Sequence, residues 1–262
     1  MAVTGRGAPP LLWIASAVVI AFLILPSLIV VGMSFSGSRF LEFPPRALSF
    51  RWYAAYWSDG AWLEATARSL KVAVLVTVLA VILGTLASLA VVHRLLPGRG
   101  ALRALIVSPL IVPSIVLALG LYSTFAAWRL TGTLTALVAA HTVLALPFVV
   151  LNVSAVLYKL DVNLERAARI SGAGPLRAFL FVVLPLIWPG MATGSIFAFL
   201  TSFDEIVIAM FIAGSSPTLP KVMFEGIQFE LNPVVAAVST QLILVSSAAL
   251  LAAAWLRRRT SQ

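Results

Sequence analysis

Few side chains in this sequence could do chemistry in an apolar environment. Asp204 and Glu205 stand side by side at the end of an apolar run, and His141 lies in the middle of another. Carboxylates in such a place raise the local concentration of a cation, and the rings of Tyr122 and Phe203 could pack against ammonium groups. These residue types favour attraction of a cation over catalysis, and we predict that all five belong to a substrate pathway region. Adjacent helical residues are about 100° apart, so at most one of the two acids faces the path itself.

Each of these residues also has a plainer interpretation. Asp204 and Glu205 could be solvated acids at the end of a span, and the two aromatic rings could be core residues. A histidine in mid-span is usually packed and hydrogen-bonded, or it faces a cavity. The sequence alone leaves both interpretations open.

Motifs for catalysis or metal binding are missing. The chain has no cysteine, which excludes a disulfide framework, a thiolate metal site and a Cys nucleophile. The G-x-x-x-x-G-K-[ST], H-E-x-x-H and G-x-S-x-G patterns are absent. His93 and His141 are far apart, with no acidic partner at metal-ligand spacing. We therefore expect no catalytic residue, no metal site and no cofactor bound to this chain.

The amino-acid composition indicates that membrane-spanning segments hold the candidate residues. Of 262 residues 61% are hydrophobic and 10% are charged, whereas a soluble domain is about 45–50% apolar and about 25% charged. A soluble enzyme, a disordered protein and a nucleic-acid-binding module are excluded. Six segments free of Asp, Glu, Lys and Arg are long enough to cross a bilayer core about 30 Å thick, and the first is interpreted as a retained anchor rather than a signal peptide. The segments are 11–33, 72–92, 104–128, 134–158, 180–203 and 234–256.

Charge asymmetry sets the orientation of these spans. Eleven of the 18 Lys and Arg residues lie in segments 1–10, 93–103, 159–179 and 257–262. Because loops rich in Lys and Arg stay in the cytoplasm, both termini are predicted to be cytoplasmic. The net charge of +9 then follows from topology and needs no nucleic acid. We predict an all-α membrane protein with six transmembrane helices in a single transmembrane domain, 1–262.

Two outer segments keep alternatives open. The eight apolar residues 206–213 are too short to cross alone, so they either continue the fifth span or form a re-entrant piece. In the outer loop 34–71, Ser49 is a candidate N-cap before the aromatic residues Phe50, Trp52 and Tyr53. This pattern predicts a surface helix that serves as an interfacial anchor or as a docking surface for an outer partner.

The cytoplasmic loop between spans four and five predicts a short helix with stops at both ends. Asp161 or Asn163 can cap it, and Gly172 with the Gly174-Pro175 pair can end it. A second amphipathic stretch, 176–184, then leads into the fifth span at Pro185. A helix-length loop with an exposed face of small and apolar residues favours docking of a partner; that face comprises Leu164, Ala167, Ala168 and Gly172.

At these residues the chain resembles the integral membrane subunits of ABC importers. The signature of that family is E-A-A-x-x-x-G followed, across nine residues, by I-x-L-P. Here it is matched by Arg166-Ala167-Ala168 with Gly172, and then by Val182-x-Leu184-Pro185. The family's Glu falls on Arg166, while Glu165 stands one place earlier. In relatives the loop helix inserts into a cytoplasmic ATPase, so either the ATPase surface is altered to match or Glu165 rotates in.

The resemblance covers residues 66–256, and residues 202–240 most closely resemble permeases of the spermidine/putrescine class. It implies a type I ABC importer-like transmembrane domain in the bacterial plasma membrane, with 161–179 as coupling loop. A polyamine is the implied solute, with iron, thiamine or another organic cation as alternatives. The coupling residues it implies are Leu164, Glu165, Arg166, Ala167, Ala168, Gly172 and Pro185.

The resemblance also implies partners. These are a cytoplasmic ATPase dimer that binds ATP and Mg, a second permease subunit that is a copy or a paralogue, an outer solute-binding protein, and membrane lipid. A stand-alone channel or secondary transporter is the competing hypothesis. It is disfavoured because no predicted span core contains Asp or Glu, whereas proton-driven transporters commonly carry such carboxylates.

Overall fold

The computed structural model describes residues 10–93, 97–229 and 232–260. Within those ranges helices alternate with turns, and an isolated antiparallel bridge joins Ser36 to Leu48. Arg6 and Arg94, two of the basic residues that predict the orientation, lie outside the described residues. The helices are α1 (Pro10–Ser34), α2 (Arg51–Ser58), α3 (Gly60–Val92), α4 (Arg99–Val107), α5 (Ser114–Ala127), α6 (Leu134–Leu157), α7 (Val162–Ile170), α8 (Pro175–Ala178), α9 (Leu184–Phe203), α10 (Val207–Ile212), α11 (Leu219–Gln228) and α12 (Val234–Thr260).

The all-helical membrane class is confirmed. Four helical segments are long and apolar enough to cross a membrane, and a bent helix pair supplies a fifth if it counts as one span. Helix α12 adds a shorter apolar stretch, Val234–Ser247. The four long segments are Leu11–Ser34, Gly60–Val92, Leu134–Leu157 and Pro175–Phe203.

The predicted third span, 104–128, consists of two helical pieces. Helix α4 ends in a 3₁₀ turn, Ser108–Leu110, and α5 starts only at Ser114, with a bend of 106° between the two helical pieces. Pro113 has φ −55° and ψ 131°, an extended conformation directly before α5. Proline lacks an N–H and its ring clashes with the preceding turn, so the paired prolines of S-P-L-I-V-P-S break the helix.

Two boundaries on the outer side also differ from the prediction. Helix α3 begins at Gly60, twelve residues before the predicted span, because charged residues interrupt an apolar run but still favour helix. Helix α2 forms where the aromatic pattern predicted it, but its N-cap residue is Phe50 rather than Ser49. The Ser49 hydroxyl still accepts a hydrogen bond from the N–H of Arg51, at 3.1 Å.

The fifth span includes the stretch predicted as a separate amphipathic segment. Helices α8 and α9 are joined by a π-helical turn, Phe179–Val183, into one helical segment of 29 residues. Helix α9 ends at Phe203, and residues 207–212 form the separate helix α10. The apolar piece 206–213 is therefore not a continuation of the α9 helix.

The chain divides into two compact units, residues 64–222 and residues 1–63 with 223–262. In the second of these, α1 and α2 each pack on α12, and the rings of Phe35, Phe50 and Tyr53 contact one another with centroids 5.4 to 5.9 Å apart. The single transmembrane domain and its core region 66–256 stay predictions.

Helix α6 is the centre of the unit 64–222. Its buried residues include Leu137, Ala145 and Val149. Helix α9 packs along one side of it, and α3 contacts it at Gly84 and through Ser88, whose hydroxyl donates to the carbonyl of Val150 at 3.2 Å.

Helix α9 approaches α6 through a G-x-x-x-G pair, Gly190 and Gly194. A Cβ on Gly194 would lie 2.9 Å from Cα of Val149, and one on Gly190 would lie 2.9 Å from the carbonyl oxygen of Asn152. Between membrane helices, small residues allow the backbones to come close and so gain packing and hydrogen bonds. The two glycines therefore fix the spacing of the helices that carry His141 and Phe203.

Candidate functional site

The cytoplasmic loop folds as its sequence predicts, and the structure selects Asp161 as the cap. The Asp161 carboxylate accepts a hydrogen bond from the N–H of Asn163 at 2.9 Å, at the start of α7. Helix α7 ends at Ile170, and Gly172 follows with φ +91°. A side chain rarely adopts this left-handed conformation, so glycine at this position lets the chain turn sharply towards α8.

The neighbouring side chains Glu165 and Arg166 of α7 differ in pairing and exposure. Glu165 pairs with Arg169 one turn later, with N and O atoms 3.4 Å apart, and its side chain is 29% exposed. Arg166 is exposed and makes no ion pair among the described residues. Of these two neighbours, the basic Arg166 is thus exposed and the acidic Glu165 is paired and partly buried.

A cavity of about 340 Å³ lies under α7. Its walls come from the cytoplasmic ends of α3 and α6, from α7 itself and from the π-helical turn. Glu165 and Arg166 both border it, so the cavity itself does not separate these two side chains. The lining residues are Val92, His93, Leu157, Leu160, Asp161, Leu164, Glu165, Arg166, Val182, Val183 and Leu186.

The opposite face of the loop is open. Ile170 is 88% exposed, Leu176 is 68% exposed, and Ala167 is also exposed. Ala168 is half-buried and Pro185 lies in the first turn of α9. The predicted coupling residues therefore occupy one continuous loop and the start of the helix it leads into, while their coupling role stays a prediction.

At the other end of α9 the two adjacent acids separate. Asp204 is the exposed C-cap residue of α9. Glu205 turns towards α10, where its carboxylate accepts a hydrogen bond from the N–H of Ile208 at 2.9 Å. Burial raises the pKa of Glu205; N–H groups of Ile208 and Val207 oppose the shift, and the charge of Asp204 adds to it. Asp204 is therefore the more exposed of the two carboxylates, and Glu205 is held at the start of α10.

The aromatic candidates lie in the same unit. Tyr122 on α5 is half-exposed and its ring faces that of Phe211 on α10, with centroids 6.4 Å apart. Phe203 stacks on Phe199, with centroids 5.8 Å apart. The N–H of Gly132, in the turn after α5, also donates to the carbonyl of Ile212 at 2.9 Å, so α5, α10 and the end of α9 form one outer region.

His141 is buried in the core rather than exposed to a path. Its Nδ1 lies 3.1 Å from both the carbonyl oxygen and the hydroxyl of Ser202, which ties α6 to the last turn of α9. Its Nε2 has no hydrogen-bond partner within the described part of the chain. The pathway roles of Asp204, Glu205, Tyr122, Phe203 and His141 stay predictions.

Sequence reasoning missed three contributors to this arrangement. Ser202 carries no recognisable motif, and its role follows only from the packing of α6 on α9. Gly190 and Gly194 do carry a signal, the G-x-x-x-G pattern of closely packed membrane helices, which could have identified the face of α9 that meets α6.

The fold matches that of a solved membrane-protein chain. It superposes on a bacterial ABC transporter involved in the import of the acidic polysaccharide alginate with a TM-score of 0.71 at 17% identity, over 94% of this chain and 99% of that one. Residues 80–262 match the family model for the inner membrane component of binding-protein-dependent transport systems. The chain belongs to this family of multi-pass inner membrane permeases.

Several characterised members of the family are similar along most of their length. The putrescine transport permease PotI of Escherichia coli K12 is 32% identical over 230 residues, 85% of this chain and 82% of that protein. The spermidine/putrescine permease PotC of the same organism is 28% identical over 86% of each chain. The trehalose permease SugB of Mycobacterium tuberculosis is 27% identical over 79% of this chain and 76% of that protein.

Proposed function

We propose that the chain is a permease subunit of an ATP-driven importer for a polyamine such as putrescine or spermidine. A second permease subunit completes the pathway, an outer binding protein delivers the solute, and a separate cytoplasmic ATPase dimer binds ATP and Mg. The observation that carries the solute assignment is Asp204, an exposed carboxylate at the outer end of α9.

The chemistry of the outer region suits a polycation. A polyamine carries several ammonium groups, which a carboxylate attracts and which aromatic faces stabilise. Asp204 supplies the first of these features and Tyr122 the second. Two relatives named for putrescine or spermidine transport, PotI and PotC, support the same solute class.

Energy coupling is assigned to α7. The proposed mechanism is alternating access: ATP binding closes the ATPase subunits, and the loop helix passes that movement to the spans. A ligand shifts such an equilibrium only by its differential affinity for the two states, and the coupling acts reciprocally on the outer site. Helix α7 suits this role because it is capped at both ends, exposes Ile170, and is joined through α8 and the π-helical turn to α9.

The test uses the complete complex in proteoliposomes with the matching binding protein. ATP hydrolysis is measured against putrescine, spermidine or trehalose, for the native chain and for Asp204→Asn. Putrescine or spermidine should stimulate hydrolysis, and Asp204→Asn should raise the concentration for half-maximal stimulation about tenfold, as expected for loss of one charge-assisted contact. Basal hydrolysis should persist.

The matched control is Glu64→Gln, which removes another exposed carboxylate and should leave the solute response unchanged. Stimulation by trehalose alone would retain the importer and reject the polyamine. Hydrolysis that no solute stimulates, in an intact complex loaded with binding protein, would reject the coupling role itself.

A further inference from the structure

The exposed part of the cytoplasmic loop carries both apolar and basic side chains. We call this the docking surface, and it consists of Arg166, Ala167, Ile170, Leu176 and Arg177, all exposed. Neither arginine makes an ion pair or a hydrogen bond with another described residue. Two positive charges and two large apolar side chains are thus exposed, and neither charge is paired within the described part of the chain.

The acids of the loop cannot neutralise this surface. The Asp161 carboxylate is used as the cap of α7, and Glu165, whose side chain is only 29% exposed, is engaged by Arg169. Pairing Glu165 with a partner at the docking surface would therefore require breaking its ion pair with Arg169. The structure therefore favours Arg166 as the charge that meets a partner at this position.

We propose that the partner ATPase receives the docking surface in an apolar groove with a carboxylate of Asp or Glu opposite Arg166. This inference rests on the proposed function and adds the chemistry of the partner. An unpaired Arg at a protein interface is best matched by a carboxylate, which its planar guanidinium can bind in a bidentate manner. Ile170 supplies the apolar anchor that fills the groove.

A protein fits this surface better than a lipid headgroup layer. Ala167 lies beside Arg166 on the exposed side and the half-buried Ala168 follows, and small residues let another backbone approach closely but bury little area in a membrane. The charge complementarity also selects between ATPases, because a groove with a basic residue opposite Arg166 would be repelled.

Zero-length crosslinking with a carbodiimide tests the contact directly, since it joins an amine only to a carboxylate in contact with it. The natural lysines are Lys71, Lys159 and Lys221. In the purified complex, Arg166→Lys should give a permease–ATPase adduct that mass spectrometry maps to position 166 and to an Asp or Glu of the ATPase. The native chain should give no adduct at that position.

A second variant distinguishes two outcomes: the loop docks on the ATPase without a carboxylate opposite Arg166, or the loop does not dock at all. Because the chain has no cysteine, Ile170→Cys with a short heterobifunctional crosslinker, which joins this thiol to an amine of the ATPase, reports whether the loop docks at all. An Ile170→Cys crosslink without any Arg166→Lys adduct would overturn the acidic groove and keep the proposed function. Failure of the native chain to retain the ATPase would reject the proposed function.

Charge reversal gives the energetic test. Arg166→Glu should weaken ATPase binding about tenfold or more at low salt, and Arg166→Ala by less, with the difference shrinking as ionic strength rises. The control is Arg103→Glu on α4, an exposed basic residue outside the loop, which should bind like the native chain. If Arg103→Glu weakened ATPase binding equally, the effect would come from general electrostatics and the proposal would be overturned. If the Arg166→Glu effect disappeared in nanodiscs of phosphatidylcholine alone, the charge would act on lipid, and the proposal would again be overturned.

Discussion

Asp204 and Glu205 are neighbours in sequence with different structural tasks. The sequence identified the pair as the notable acids of the outer side but could not divide their roles, because that depends on where α9 ends. The helix stops at Phe203, so Asp204 stays in solvent while Glu205 reaches the first turn of α10. The cap of α7 was easier, since Asp161 directly precedes the apolar periodicity of that helix.

Removing the Glu205 cap should destabilise the protein without abolishing solute recognition. Glu205→Ala leaves the N–H of Ile208 without its partner, and loss of an N-cap acceptor lowers the free energy of unfolding by about 1 kcal/mol. Thermal unfolding of the purified protein in detergent measures the change. Asp204→Asn is the matched control, and a larger loss of stability in that variant would contradict the division of roles.

The same residue predicts a pH effect. Because burial raises the folded-state pKa of Glu205 above 4.5, the folded state binds the proton more tightly than the unfolded chain does. The native chain should therefore lose stability relative to Glu205→Gln as pH rises from about 4.5 through the raised pKa, and the difference should level off above it. Unfolding midpoints of both proteins across pH 4 to 8 would measure this, and a difference that grows as pH falls would have the wrong sign.

At the scale of elements, the length of the apolar runs predicted most helices, but charged residues and prolines made the predicted helix boundaries inaccurate. Charged residues shortened the predicted second span, although α3 continues through them to Gly60. The prolines of the third span are a signal for a kink, yet composition could not say that the helical pieces on either side of residues 111–113 differ in direction by 106°. Helix direction after a break depends on packing, which hydropathy does not record.

The glycine contact between α6 and α9 should be intolerant of even one added methyl group. Gly194→Ala places a Cβ 2.9 Å from the backbone of Val149, so the helices must separate, at about 1–3 kcal/mol of stability. Thermal unfolding in detergent reports the loss. Gly120→Ala on α5, where a Cβ meets nothing within 4 Å, should be neutral or slightly stabilising; equal losses for both would show that the close contact is not what matters.

Substituting Gly172 should weaken coupling more than it weakens folding. Gly172 has φ +91°, and a side chain in the left-handed region costs about 1–2 kcal/mol, which frays the end of α7. We expect faster hydrogen exchange at the amide of Ala173, which bonds the carbonyl of Ala168, and a several-fold smaller solute stimulation of ATP hydrolysis in Gly172→Ala.

The control for Gly172 is Gly174→Ala. Gly174 has φ −66°, and a Cβ there meets nothing within 4 Å, so both exchange and stimulation should match the native chain. Normal stimulation in Gly172→Ala would remove the loop geometry from the coupling mechanism.

At the scale of the whole molecule, composition predicts the class, an all-α membrane protein, and the asymmetry of Lys and Arg predicts the orientation of its spans. Neither prediction depends on detailed packing. Helix pairing could not be read in the same way, because lipid-facing and protein-facing apolar residues look alike in sequence. The exception is the G-x-x-x-G pair of α9.

Orientation can be tested with single cysteines because the native chain has none. Ser171→Cys lies in the predicted cytoplasmic loop and Ser215→Cys in the predicted outer loop, and both positions are exposed. A membrane-impermeant maleimide should label Ser215→Cys in intact spheroplasts and Ser171→Cys only after permeabilisation. The reverse pattern would invert the predicted topology.

One helical segment, Pro175–Phe203, connects the docking loop directly to Asp204. At about 1.5 Å per residue, its 29 residues make a rod roughly 43 Å long. A tilt of about 5° about one end of a rod of that length displaces the other end by roughly 4 Å. A small tilt of this segment, imposed at its cytoplasmic end, would thus displace the outer carboxylate by at least the size of a water molecule. No other helix would be needed to transmit the movement.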